Sequence, residues 1–104
     1  MKFIVCVDKS VHVDAAPVAV GEAFRRHARA LTTDPWRKGD KLSPKGTRGP
    51  AWLRSVPNLY RMAALPEGWR ALYTIEAAHD ATPARVIIVW LGTHKQYDRL
   101  LGYG

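Results

Sequence analysis

Residues Asn58 to Leu91 read NLYRMAALPEGWRALYTIEAAHDATPARVIIVWL, and this stretch decides the fold. It holds three runs rich in aromatic and β-branched residues: Asn58 to Leu65, Trp69 to Ala77 and Arg85 to Leu91. Pro66-Glu67-Gly68 separates the first two, and His79-Asp80-Ala81-Thr82-Pro83 separates the second and third. Short runs joined by turn formers of this kind predict an antiparallel meander. Just beyond it, Thr93 and Gln96 stand at the spacing of a capping box, which predicts a short helix from His94 to about Leu101 ending at Gly102.

Upstream, Phe3-Ile4-Val5-Cys6-Val7 is a continuous apolar run, which predicts a central strand from Lys2 to Asp8 buried on both faces. From Asp14, the residues Ala16, Val20, Phe24 and Leu31 recur at helical spacing, with Ala23 and His27 beside them. The expected helix runs from Asp14 to Leu31, with Asp14 as its cap and Pro17 tolerated in the first turn. Residues 32–57 carry Pro35, Gly39, Pro44, Gly46, Gly49, Pro50 and Pro57 and predict an irregular connection. One turn of helix at Ala51-Trp52-Leu53, anchored by Trp52, is expected within it. The fold class is therefore α+β: a four-stranded, mostly antiparallel sheet with the N-terminal helix on one face and a short C-terminal helix.

The chain of 104 residues suits a single domain, 1–104. Sixteen Lys and Arg against nine Asp and Glu leave a formal charge of +7. Such a surplus points to a polyanion, an acidic protein or an anionic membrane, with plain colloidal solubility as the alternative. The lone Cys6 excludes an intrachain disulfide and fits a reducing compartment. The apolar run after Met1-Lys2 is too short for a signal-peptide core or a membrane span, so a cytoplasmic protein without a membrane partner is expected. There is no glycine-rich phosphate loop, paired-carboxylate site or nucleophile elbow, and Cys6 with the four histidines shows no metal-ligand spacing. Neither a metal nor another cofactor is expected.

The order strand, helix, long basic loop, three-strand meander and short helix resembles the RelE/ParE toxin superfamily. Two segments carry the resemblance: Gly68-Trp69-Arg70-Ala71-Leu72-Tyr73-Thr74-Ile75, and Val89-Trp90-Leu91-Gly92-Thr93-His94-Lys95-Gln96-Tyr97-Asp98, which is similar to the strand-to-helix ending of HigB-like members. It covers residues 58–101 in motif and the rest only in architecture. It implies a type II toxin that cleaves mRNA without a metal in the A site of the ribosomal 30S subunit. The ribose 2′-OH attacks the adjacent phosphate, and an acidic cognate antitoxin protein holds the toxin inactive. By the same resemblance Arg70 holds the scissile phosphate, His94 transfers protons, and Arg61 serves as base or phosphate contact. Tyr97 and Lys95 match more loosely, with Tyr97 among the catalytic residues and Lys95 among the RNA-binding ones. Lys45, Arg48 and Arg54 of the basic loop complete the expected RNA contacts. The chain departs from some members at Ala63, where they have a second strand lysine, and this shifts proton work towards His94.

The residue types suit that chemistry independently. Imidazole is the one side chain whose ordinary pKa lies near neutrality, and guanidinium forks fit phosphate oxygens. Yet a lone histidine at a helix start is more often a surface or packing residue. His27 is expected as a packed helix residue, His79 in an exposed turn and His12 ahead of the helix. Trp52, Trp69 and Trp90 are either stacking platforms for bases or core. Arg25, Arg26 and Arg29 are either a solvated face or a grip on ribosomal RNA. Two functions without RNA cleavage also remain: a ParE-type toxin that binds DNA gyrase, and an inactive basic nucleic-acid-binding module. Finally, Arg61 and Arg70 share a face only if the positions paired across their hairpin sum to an odd number, which requires an even count of residues between any such pair.

Overall fold

The computed structural model describes residues 2–42, 50–80 and 82–102. Five strands form one mixed sheet: β1 (Ile4–Val7), β2 (Gly39–Lys41), β3 (Leu59–Met62), β4 (Arg70–Glu76) and β5 (Arg85–Gly92). Their spatial order is β1-β5-β4-β3-β2. Only β1 and β5 run parallel; the other three pairings are antiparallel. Among the described residues three α-helices complete the fold: α1 (Val18–Ala30), α2 (Ala51–Arg54) and α3 (His94–Leu101). Among the described residues no helix is long and apolar enough to cross a membrane.

The meander forms where the sequence places it, and alternation along its strands builds a core on each face of the sheet. Tyr60, Met62, Ala71, Tyr73 and Ile75 turn towards α1 and pack with Val20, Phe24 and Leu31. Leu59 and Leu72 turn the other way and pack with Leu53 of α2 and with Tyr97 and Leu101 of α3. The sheet is thus a middle layer, with α1 on one side and α2 and α3 on the other.

Five expectations are corrected. The sheet has five strands, not four: β2 lies inside the segment read as irregular. Its presence rests on Gly39, where an added Cβ would collide with the Tyr73 hydroxyl and the Arg61 carbonyl. β1 is an edge strand rather than a central one. Its Phe3 is buried against the α1 layer, but the helices on the opposite face stop short of it and leave Ile4 50% exposed. An unbroken apolar run signals burial on both faces only where both faces have a covering layer.

The first helix begins at Val18, not Asp14. A residue before proline is pushed out of the helical region, and Ala16 is accordingly extended (φ −83°, ψ 160°). Pro17 occupies the cap position without a side-chain cap, and Asp14 instead pairs with Arg25 at 3.0 Å. The turn of helix at residues 51–54 is present, but Leu53 anchors it, fully buried, while Trp52 is 43% exposed. Strand β3 is shorter than expected at both ends: Asn58 takes a left-handed φ of 51°, and the chain leaves the ladder after Met62. A turn at Pro66–Gly68, with φ 58° at Glu67 and 76° at Gly68, returns it to β4.

Candidate RNA-binding and cleavage site

Register comes first. Leu59 pairs with Thr74, Tyr60 with Tyr73 and Arg61 with Leu72. Each pair of positions sums to an odd number, so Arg61 and Arg70 lie on the same face, the one that carries α3. One strand further, Asp40 pairs with Arg61, and on the far side Leu72 pairs with Trp90 and Arg70 with Gly92.

Arg61, Arg70, Asp40, Met62 and Ala64 line a cleft of about 130 Å³. Arg61 Nη2 donates to Asp40 Oδ2 at 3.0 Å. The Asp40 hydrogen bond first, with the Tyr97 hydroxyl adding to it against partial burial, pushes the Arg61 guanidinium above its ordinary pKa. Arg61 therefore remains a cation at any working pH, which suits a phosphate contact and not a general base. Arg70 is half-buried, and its Nη1 donates to the Trp69 carbonyl at 3.1 Å.

Helix α3 packs on the same face, with Tyr97 beside Arg61. Thr93 caps it through a reciprocal box: its hydroxyl accepts from the Gln96 N–H at 3.2 Å, and its own N–H donates to Gln96 Oε1 at 2.8 Å. Gly102, at φ 78°, ends it. Held this way, α3 buries Tyr97 and Leu101 against the sheet and leaves His94 and Lys95 exposed at its start. His94 stands above the turn before β4, since a Cβ on Gly68 would lie 3.5 Å from its own Cβ. Its Nε2 is 3.2 Å from Asp98 Oδ2, one turn further along the helix.

The structure thus brings Arg61, Arg70 and Tyr97 together and sets His94 at the same end of the sheet, outside the lining of the cleft. Lys95 lies on the outer side of α3, and Arg54 is exposed at the end of α2, on the same face as the site. Lys45 and Arg48 lie outside the described residues. Two residues that sequence reasoning missed belong here. Asp98 was detectable as the partner of His94 by its four-residue spacing on a helix. Asp40 was not, because nothing in a loop-like segment marks a strand three residues long.

Tyr73, in contrast, is structural: it is fully buried, donates to the Pro35 carbonyl at 2.6 Å and stacks on Tyr60 at 5.5 Å. Burial, above all, raises its phenol pKa. Among the described residues no three His, Cys, Asp or Glu side chains are grouped to hold a metal ion.

No protein-family model, no curated protein and no solved structure matches the chain. The chemistry has to be argued from the site itself. Two guanidinium groups on one face, a buried phenol beside one of them and an imidazole next to a carboxylate can hold a phosphodiester and move protons around it.

Proposed function

We propose that this chain is a type II toxin of the RelE/ParE kind, an endoribonuclease that cleaves mRNA on the ribosome and is held inactive by an acidic antitoxin protein. The observation that carries this is the register that sets Arg61 and Arg70 side by side on the α3 face, with Tyr97 against Arg61.

In this reaction the ribose 2′-oxygen attacks phosphorus and the P–O5′ bond breaks, leaving a 2′,3′-cyclic phosphate and a 5′-hydroxyl. The proton leaves the 2′-oxygen and one is delivered to the 5′-oxygen. Arg61 and Arg70 bind the non-bridging oxygens and offset the charge that builds up there. His94 exchanges the protons, with Asp98 close enough to orient its ring. The +7 charge supplies general attraction to the polyanion.

The test is purified protein incubated with programmed ribosomes and, separately, with gyrase and supercoiled plasmid. RNA fragments ending in 2′,3′-cyclic phosphate are expected in the first reaction and no change in the second. Intact RNA together with trapped gyrase would replace this proposal with the non-cleaving toxin.

A further inference from the structure

Helix α3 divides its face of the sheet in two. On one flank lies the Arg61–Arg70 cleft. On the other lies a larger cavity, about 410 Å³, lined by Trp90, Leu91, Gln96, Arg99 and Leu100, within the size range of small-molecule sites.

Three features of the chain create it. Strand β1 stops at Val7, opposite Ile88, so among the described residues no strand continues along the β1 side of β5 from Val89 to Gly92. The β4–β5 ladder slips at Val89, because Leu72 pairs with Trp90 while Tyr73 pairs with Ile88. Past that bulge Trp90 lies on the α3 face, its ring centroid 6.2 Å from that of Tyr97. Gly92 leaves room for the arrangement: a Cβ there would run into the Trp90 ring and the Gln96 amide. The aromatic surface also continues beyond the cavity, since Val89 lines a second one, of about 290 Å³, with Trp52, Asp8 and Ser10.

We propose that this groove is a nucleobase subsite for single-stranded nucleic acid, with Trp90 as the stacking face and Arg99 as the contact for the flanking phosphate. The inference rests on the reading of the Arg61–Arg70 cleft as a phosphate site, and it adds the place where the neighbouring nucleotide goes. Arg61, Leu72 and Trp90 are consecutive cross-strand partners, so cleft and groove are two strand spacings apart, about 10 Å. Lys95 and Arg99 are both exposed and stand one helical turn apart on the outer side of α3. They give the backbone of a bound strand two cations along its path from one flank to the other. Aromatic faces interleaved with cations are what sequence-tolerant single-strand binding needs. The Gln96 side-chain NH2, whose carbonyl oxygen already accepts from the Thr93 N–H, can donate to the edge of a stacked base.

The test uses a single-stranded DNA hexamer, which lacks the 2′-OH and so stays uncut, together with a set in which each position in turn is abasic. With the whole chain, loss of one particular base is expected to weaken binding about tenfold, the size of a single base–aromatic stack. Trp90→Leu should remove that position dependence. Arg99→Glu, on an exposed helix position where folding is not at stake, should weaken binding about tenfold while the position dependence persists. Salt-dependent binding that is indifferent to every abasic position overturns the subsite and leaves the cationic cleft standing. If no hexamer shows salt-dependent binding, the reading of the cleft falls and the subsite with it. Burial of Trp90 by an acidic polypeptide, with hexamer binding untouched by Trp90→Leu, would assign the groove to a protein strand and overturn the proposal.

Discussion

A histidine and an arginine in one phosphodiester site fail in different ways when removed. On the proposed reaction, His94→Ala subtracts one titratable ring from a site whose grip on phosphate is assigned to Arg61, Arg70 and the surrounding cations. RNA cleavage should fall by about 10²- to 10⁴-fold, the usual worth of general acid–base help, with binding nearly unchanged. Arg70→Ala should weaken both binding and turnover, because the same guanidinium meets the phosphate before and during reaction. Single-turnover rates and filter binding on the two variants separate these cases. Equal cleavage by His94→Ala and wild type would move the proton role to Tyr97 or Lys95. Asp40 makes a further prediction. Its pair with Arg61 is exposed, 36% at the arginine and 71% at the aspartate, so losing it should cost folding no more than about 1 kcal/mol. Asp40→Asn removes a negative charge from the cleft and frees Arg61, so RNA should bind several-fold more tightly, as read by fluorescence anisotropy. Arginines and histidine were legible in the sequence because strand and helix motifs flank them. The carboxylate that tempers Arg61 was not, because its strand is too short to show a pattern.

Capping decides how firmly α3 presents His94 and Tyr97. Thr93→Ala removes the arm made by its hydroxyl and leaves the one from its backbone N–H to Gln96 Oε1, at a cost of about 1 kcal/mol, or roughly 4–8 °C in Tm for a domain of this size. Activity should drop further than stability if the first turn frays, since His94 stands there. Gly39→Ala is predicted to be worse. Its Cβ meets the Tyr73 hydroxyl and the Arg61 backbone, both fixed by the sheet, so β2 must move off the edge and take Asp40 with it. A loss of about 1–3 kcal/mol is expected by thermal or urea denaturation. Elements whose signals are local were readable: the three meander strands from their turn formers, α3 from its cap and Gly102. Elements whose limits depend on the rest of the fold were not. The one-sided burial of β1 depends on how far α2 and α3 reach across the sheet, and its edge position on β5 pairing with β4 along its other side. The true start of α1 depends on a choice between Asp14 as a cap and Asp14 as the partner of Arg25, and Pro17, by forcing Ala16 to be extended, settles it for the ion pair.

At the scale of the whole molecule, the positive charge is spread over two faces that one short strand of RNA cannot touch together. Arg25, Arg26 and Arg29 are exposed on α1, behind the sheet from Arg54, Arg61, Arg70 and Lys95, because the side chains of β3 and β4 that meet α1 alternate with those that meet α3. Counterion release then separates the two groups. If the four cations on the α3 face and Arg99, exposed on α3, each meet a phosphate, the logarithm of the binding constant for a short single strand should fall against the logarithm of salt with a slope of about −3.5. Charge reversal of Arg26 and Arg29, which leaves the Asp14–Arg25 pair intact, should leave that slope unchanged, whereas Arg61→Ala and Arg70→Ala should each reduce it by about 0.7. The outcome on ribosomes should invert. There α1 has a second polyanion to meet, and the same α1 reversals should slow cleavage of ribosome-bound mRNA more than they affect free oligonucleotides. A slope that moves with Arg26 and Arg29 in the oligonucleotide assay would place the nucleic acid across α1 and refute the α3 face as its seat. Unchanged cleavage on ribosomes would make the α1 arginines a solvated face and confine recognition to the other side of the sheet.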